Sequence, residues 1–193
     1  MFEVVSSEMT PLLEFESLST VTDPLTSFRG PTVTEFLEYL TPSSLSGLPN
    51  NSSTLSVFML PSGGILDDTM ITRHSSDTFY IVTNAGRREE DLAYFVEHLK
   101  EWNARHGFDN GVQHEILEGW GLVALQGPKA AEYLQGFIDD PKEPELTSDL
   151  KELTFGRVGW AKINGKKVHI ARGGYTGEDG FEVRTCCNFP LPC

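Results

Sequence analysis

From Phe28 onward the apolar positions fall into two rhythms, one near 3.6 residues that marks helices and one of two that marks strands. The segments "FRGPTVTEFLEYL" and "LQGPKAAEYLQGF" share a plan: an apolar run ending at glycine, a proline, then an amphipathic stretch. Gly30, Pro31, Glu35, Phe36 and Leu37 of the first match Gly127, Pro128, Glu132, Tyr133 and Leu134 of the second. Proline suits the first turn of a helix, where its missing N–H leaves no bond unmade. Val33, Phe36, Leu37 and Leu40 then share one helical face, as do Ala131, Leu134 and Ile138. The pattern predicts a strand–helix unit present twice.

Between the copies, "STLSVFML" and "TMITRH" read as strands joined by the turn-rich "PSGGILDD", and "DTFYIVTNAG" reads as a buried strand. "RREEDLAYFVEHLKEWNARHG" predicts a helix, with acidic residues in its first turn, Leu92, Phe95, Leu99 and Trp102 on one stripe, and a stop at Gly107. After the second copy, "GRVGWAKI" and "KKVHIARG" flank Asn164-Gly165, the dipeptide of a type I′ hairpin turn. The expected class is α+β: antiparallel sheets packed by amphipathic helices.

The chain has 193 residues and a formal net charge of −13. An acidic surface argues against nucleic-acid binding, which needs cations to neutralise phosphates. No apolar run is long enough to span a membrane as a helix. Residues 1–27 contain no Lys or Arg and no regular period, which predicts a disordered acidic leader; they match neither a transit peptide nor a secretory signal. Cys186, Cys187 and Cys193 form neither a disulfide framework nor a paired zinc motif, and no two histidines lie at the i, i+4 spacing of a helical metal site, so no metal is expected.

Two stretches set carboxylates on turns beside strands: "GGILDDT" and "GGYTGEDGFE". If Asp67 and Asp68 open a strand they point to opposite faces, so one is positioned for a ligand and the other is solvated. In the second stretch glycines free the backbone to approach a ligand, and Glu182, alternating with Phe181 and Val183, faces away from both. Such a carboxylate can accept hydrogen bonds from a flat heterocycle with adjacent N–H groups. By pattern alone, both stretches are more often ordinary turns with solvated carboxylates than ligand sites.

Taken together and in order, "GGILDDTMI", "YIVTNAGRREEDL", "ALQGPKAAEYLQ" and "GYTGEDGFEV" resemble the aminomethyltransferase of the glycine cleavage system, its T-protein, over about Phe28 to Val183. The resemblance implies a folate-binding domain over residues 28–184, followed by an unrelated tail, 185–193. It implies transfer of the methylene of an aminomethyl group, carried on the lipoyl arm of the H-protein, to tetrahydrofolate with release of ammonia. Tetrahydrofolate is then a cosubstrate, the lipoylated H-protein the partner, and no metal is held. Asp68 matches the key aspartate, which orients and activates the attacking folate nitrogen. Tyr175 and Glu182 match pterin contacts, and Val82 and Asn84 match the strand end beside them. Glu178 and Asp179 are expected to be turn residues.

The departures shape further expectations. Leu55 stands where some members have a tyrosine near the folate. The family's usual N-terminal segment, its second half and the arginines for the folate tail have no counterpart, so the chain reads as a fragment with weak folate affinity and little activity alone. A eukaryotic member is mitochondrial by resemblance, whereas the chain as written carries no transit signal and reads as cytoplasmic. The alternatives are a folate-binding, non-catalytic relative in iron–sulfur cluster assembly, disfavoured because "GYTGEDG" lacks that group's cysteine, and an interaction module.

Overall fold

The computed structural model describes residues 17–21, 25–139 and 149–186, in two compact units. Of these, residues 25–118 form one, and residues 17–21, 119–139 and 149–186 the other.

The first unit contains β2 (Leu25–Arg29), α1 (Val33–Leu40), β3 (Ser52–Met59), β4 (Ile65–Arg73), β5 (Thr78–Thr83), α2 (Arg88–His106) and β6 (Gln113–Ile116). Its sheet runs β3-β4-β5-β2-β6 and all its pairings are antiparallel. One core joins the buried sheet side chains Phe28, Phe58, Ile71, Phe79 and Ile81 to Val33, Phe36, Leu37 and Leu40 of α1 and Phe95 of α2. All four residues expected on the apolar face of α1 are therefore buried. Helix α2 ends where expected, at Gly107 with φ 75°.

The second unit contains β1 (Ser17–Val21), β7 (Trp120–Gln126), α3 (Ala130–Gln135), β8 (Val158–Ile163), β9 (Lys166–Arg172) and β10 (Gly180–Cys186). Its sheet runs β1-β7-β10-β9-β8, again antiparallel throughout. Its core gathers Ala130, Leu134, Ala161, Ile163, Val168, Ile170 and Phe181. Asn164 (φ 51°) and Gly165 (φ 74°) make the expected β8–β9 turn.

The two sheets follow one plan. A strand (β2 or β7) leads into a helix, a three-strand meander follows, and the third meander strand (β5 or β10) returns to pair with the first. The junctions match bond for bond. Gly30 has φ 146° and Gly127 φ 137°, and each N–H binds the carbonyl of the residue before the third meander strand, Asp77 or Asp179. The Val33 N–H donates to the Gly30 carbonyl as the Ala130 N–H donates to that of Gly127. The repeated strand–helix unit of the sequence is thus the start of a longer repeat.

Three expectations change. Residues 17–21 of the expected disordered leader form β1, paired along β7 from Ser17–Gln126 to Val21–Leu122; backbone bonding there needs no side-chain period to announce it. Residues 1–16 and 22–24 of the leader and 187–193 of the tail lie outside the described residues. Strand β4 begins at Ile65, inside the stretch read as a turn, and the turn itself is held by Leu60 and Gly64. Helix α3 stops at Gln135, so Ile138 packs from an isolated bridge to Ile163 rather than from a helical face.

Candidate functional site

Asp67 and Asp68 lie on β4, so their side chains alternate. Asp67 shares its parity with Thr69 and Ile71 and faces the core side, where it is 7% exposed. Asp68 pairs with Val57 and is exposed on the opposite face, with Met70 and, across the ladder, Val82. Asn84, just beyond β5, joins the two. Its backbone N–H donates to Asp67 Oδ2 (3.1 Å), and its Nδ2 to Asp67 Oδ1 (3.0 Å) and Asp68 Oδ1 (2.8 Å). The structure thus brings Asp68, Val82 and Asn84 together at one end of the β4–β5 pair.

Asp67 is not solvated, as the sequence suggested, but buried and bonded twice. The physical reason lies on α2. Asp91, in its first turn and 1% exposed, brings a second carboxyl against that of Asp67, and burial raises its pKa to about 7, with the Asp67 charge adding to the effect.

Tyr175 and Glu182 lie in the other unit. Tyr175 is 91% exposed on the loop between β9 and β10. Glu182 pairs across with Ala124 and Ala171, and its Oε2 accepts from Arg184 Nη2 at 2.9 Å, two residues along the same strand face. The loop's glycines have an internal cause. Buried Gln126 reaches beneath the loop, donates from Nε2 to the Gly173 carbonyl (3.1 Å) and accepts from the Thr176 hydroxyl (2.9 Å). A Cβ on Gly174 or Gly180 would overlap the Gln126 amide, and Gly177 has φ 88°. Gly174 and Gly180 thus make room for a protein side chain.

Asp179 is a turn residue, as expected, with a definite task. It binds Arg172 at both Nε (2.9 Å) and Nη2 (2.8 Å), while Arg172 Nη1 donates to the Leu150 and Leu153 carbonyls. The Asp179 hydrogen bond raises the Arg172 pKa further. Arg73 repeats this clamp in the first unit: its Nη1 donates to the carbonyls of Leu45, Ser46 and Leu48. Each guanidinium also sits over the second residue of its third meander strand, Arg73 over Phe79 at 5.7 Å and Arg172 over Phe181 at 5.3 Å. Sequence reasoning missed both arginines, Gln126, Asp91 and Arg184. Extending the echo to "RHSSDTF" and "RGGYTGEDGF", each an arginine followed by Asp-x-Phe, could have found the clamps.

A family model described as the GCVT N-terminal domain matches residues 24–188. The chain belongs to this family. This GCVT N-terminal domain is 46% identical over 156 residues to "Aminomethyltransferase, mitochondrial" of Saccharomyces cerevisiae, a match covering 80% of the chain and 37% of that protein. Against the protein of the same name from Pisum sativum it is 40% identical over 157 residues, 81% of the chain and 36% of the relative. The chain therefore spans little more than a third of the curated relatives it matches. Among solved structures it resembles the glycine cleavage system aminomethyltransferase T of Bartonella henselae, with TM-score 0.70, 32% identity, and coverage of 89% of the chain and 42% of that structure. A chain of the heterotetrameric sarcosine oxidase from Corynebacterium sp. U-96 shares the fold at TM-score 0.54 and 17% identity, over 89% of the chain and 77% of that one. Among the described residues no group of three or more His, Cys, Asp or Glu could hold a metal ion, and no helix is long and apolar enough to cross a membrane.

Proposed function

We propose that this domain serves an aminomethyltransferase of the glycine cleavage system by binding tetrahydrofolate, with Asp68 as the residue that handles the reacting nitrogen. The observation that carries this reading is Asp68 itself: an exposed carboxylate whose Oδ1 is held by Asn84. Tetrahydrofolate would supply the nucleophilic nitrogen that takes up the methylene group. Asp68 Oδ2 can accept the hydrogen bond of a ring N–H and orient that nitrogen, because Asn84 already holds the carboxylate in place and little ordering remains to be done on binding.

Val82 and Asn84 flank Asp68 in its own unit. Tyr175, by its exposure, is free to lay its ring on a flat heterocycle. Glu182, held by Arg184, offers acceptors to amino and amide N–H groups of a pterin. The lipoylated H-protein would deliver the aminomethyl group, and a mitochondrial location follows the relatives' names.

Calorimetry with tetrahydrofolate tests the reading. Saturable heat is expected from the chain, with Glu182→Gln binding about tenfold more weakly through loss of a charged acceptor. Absence of heat up to about millimolar ligand would remove it.

A further inference from the structure

Behind the Asp68–Asn84 contact lies a group that the reading above leaves unused. Asp91 is 1% exposed, and neither of its carboxyl oxygens has a donor at full hydrogen-bond geometry among the described residues. The groups it faces are the Asp67 carboxyl on β4, the Thr83 hydroxyl at the end of β5 and, at longer range, the Arg87 guanidinium in the turn before α2. Arg87 is engaged elsewhere, donating to Glu90 at 3.0 Å and to the Leu66 carbonyl at 3.4 Å.

Two buried carboxyls side by side resist ionising together, so below neutrality one keeps its proton and can donate it to the other. Geometry decides which. Asp67 accepts two N–H bonds from Asn84, and donors of that kind stabilise a carboxylate. Asp91 has no such donors. Its place in the first turn of α2 favours the charged form by the helix dipole, but only by a fraction of what burial and the neighbouring charge cost.

We propose that Asp91 carries a proton shared with Asp67, and that this pair is the positioning element that holds the Asn84 carboxamide against Asp68. The Asp91 hydroxyl donates to Asp67, Asp67 accepts both the backbone and side-chain N–H groups of Asn84, and the same Nδ2 donates to Asp68. When Asp91 loses its proton to solvent, two buried negative charges repel and the Asp67–Asn84 contacts loosen. Burial places that loss near neutrality, at about 7. The link from this pair to folate chemistry rests on the reading of Asp68 above; the shared proton does not.

The test is a pH titration of the ligand-free chain by NMR, following the Asn84 backbone and carboxamide N–H resonances and the Asp carboxyl carbons. The expected result is one common midpoint near 7 for the Asn84 signals and the Asp91 carboxyl carbon. In Asp91→Asn, which keeps a donor but cannot ionise, the Asn84 signals should stop titrating. Asn84 signals that titrate unchanged in Asp91→Asn, or an Asp91 carbon that titrates near the ordinary aspartate value of about 4, would overturn the proposal. The carbon titration needs only the unmodified chain, so it decides even if the variant does not fold.

A second arm measures tetrahydrofolate affinity over the same range. It should fall about tenfold as pH rises through the midpoint, and Asp91→Asn should flatten that dependence. If the common midpoint is present but no folate binds, the shared proton stands and the folate reading fails.

Discussion

The two units are built on one plan but carry their candidate ligand groups at opposite ends of equivalent strands. In the first, Asp68 and Asn84 sit at the β4–β5 end remote from the Arg73 clamp. In the second, Tyr175 lies on the loop that the Arg172–Asp179 pair closes, and Glu182 follows directly after the clamped Phe181. The difference separates scaffold from equipment. The arginine clamp, the positive-φ glycine and the aromatic residue under the guanidinium recur in both units and are what the fold requires. The Asp67–Asn84–Asp91 network and the Gln126-filled loop occur once each, so they mark what each unit adds.

The largest effect should come from removing the added network. Asp67→Ala leaves the buried Asp91 hydroxyl and the half-buried Asn84 bonds without their acceptor and should cost about 3 kcal/mol in urea unfolding. A cost below about 0.5 kcal/mol would mean that Asp67 is the dispensable partner its turn-like sequence suggested.

Next comes the loop. Gly180→Ala drives a methyl into the Gln126 amide and should destabilise by about 2 kcal/mol, by the usual cost of overpacking. Gln126→Ala in the same chain should recover part of that loss, since it removes the obstructing group. Additive losses would show that Gly180 is required for some other reason.

The clamps should then behave as duplicates. Arg73→Lys and Arg172→Lys each replace a forked donor by a point charge and should cost about 1 kcal/mol apiece. The Arg172 change should be the larger of the two, because it alone also breaks a bidentate carboxylate pair. Equal costs would mean that the Asp179 pair adds nothing to stability.

The pH dependence sharpens the same contrast. A carboxyl whose folded pKa is raised contributes stability that is full below its unfolded value, near 4, and lost as pH rises through the folded value of about 7. Stability of the first unit should therefore decline from about pH 4 to about 7 and level off above it, and Asp91→Asn should remove that decline. His114, stacked on Phe28 and lowered in pKa by burial, acts in the opposite sense: its contribution is lost as pH falls below the ordinary histidine range. The variant isolates the Asp91 part.

Much of this architecture was legible in the sequence because it rests on local signals. The α1 face, the Gly107 stop and the Asn164-Gly165 turn each depend on residues within a few positions of one another. The alternation of Asp67 and Asp68 was legible too, but not which of them is buried, because that depends on Asp91 arriving from a helix well along the chain. Gln126 and Gly180 meet only through the β7–β10 pairing, so the part these glycines play in seating Gln126 was not legible. Strand β1 escaped notice because a peripheral strand is held by backbone bonds that any residue except proline can make.

Asp68→Asn tests the central claim most directly, with urea stability and tetrahydrofolate affinity measured on the same preparation. Asp68 is exposed and shares Asn84 with Asp67, so stability should stay within about 0.5 kcal/mol of the unmodified chain. Affinity should fall about tenfold, because a neutral amide oxygen accepts the ring N–H more weakly than a carboxylate does. Unchanged affinity together with a clear loss of stability would contradict the account, and would make Asp68 part of the scaffold.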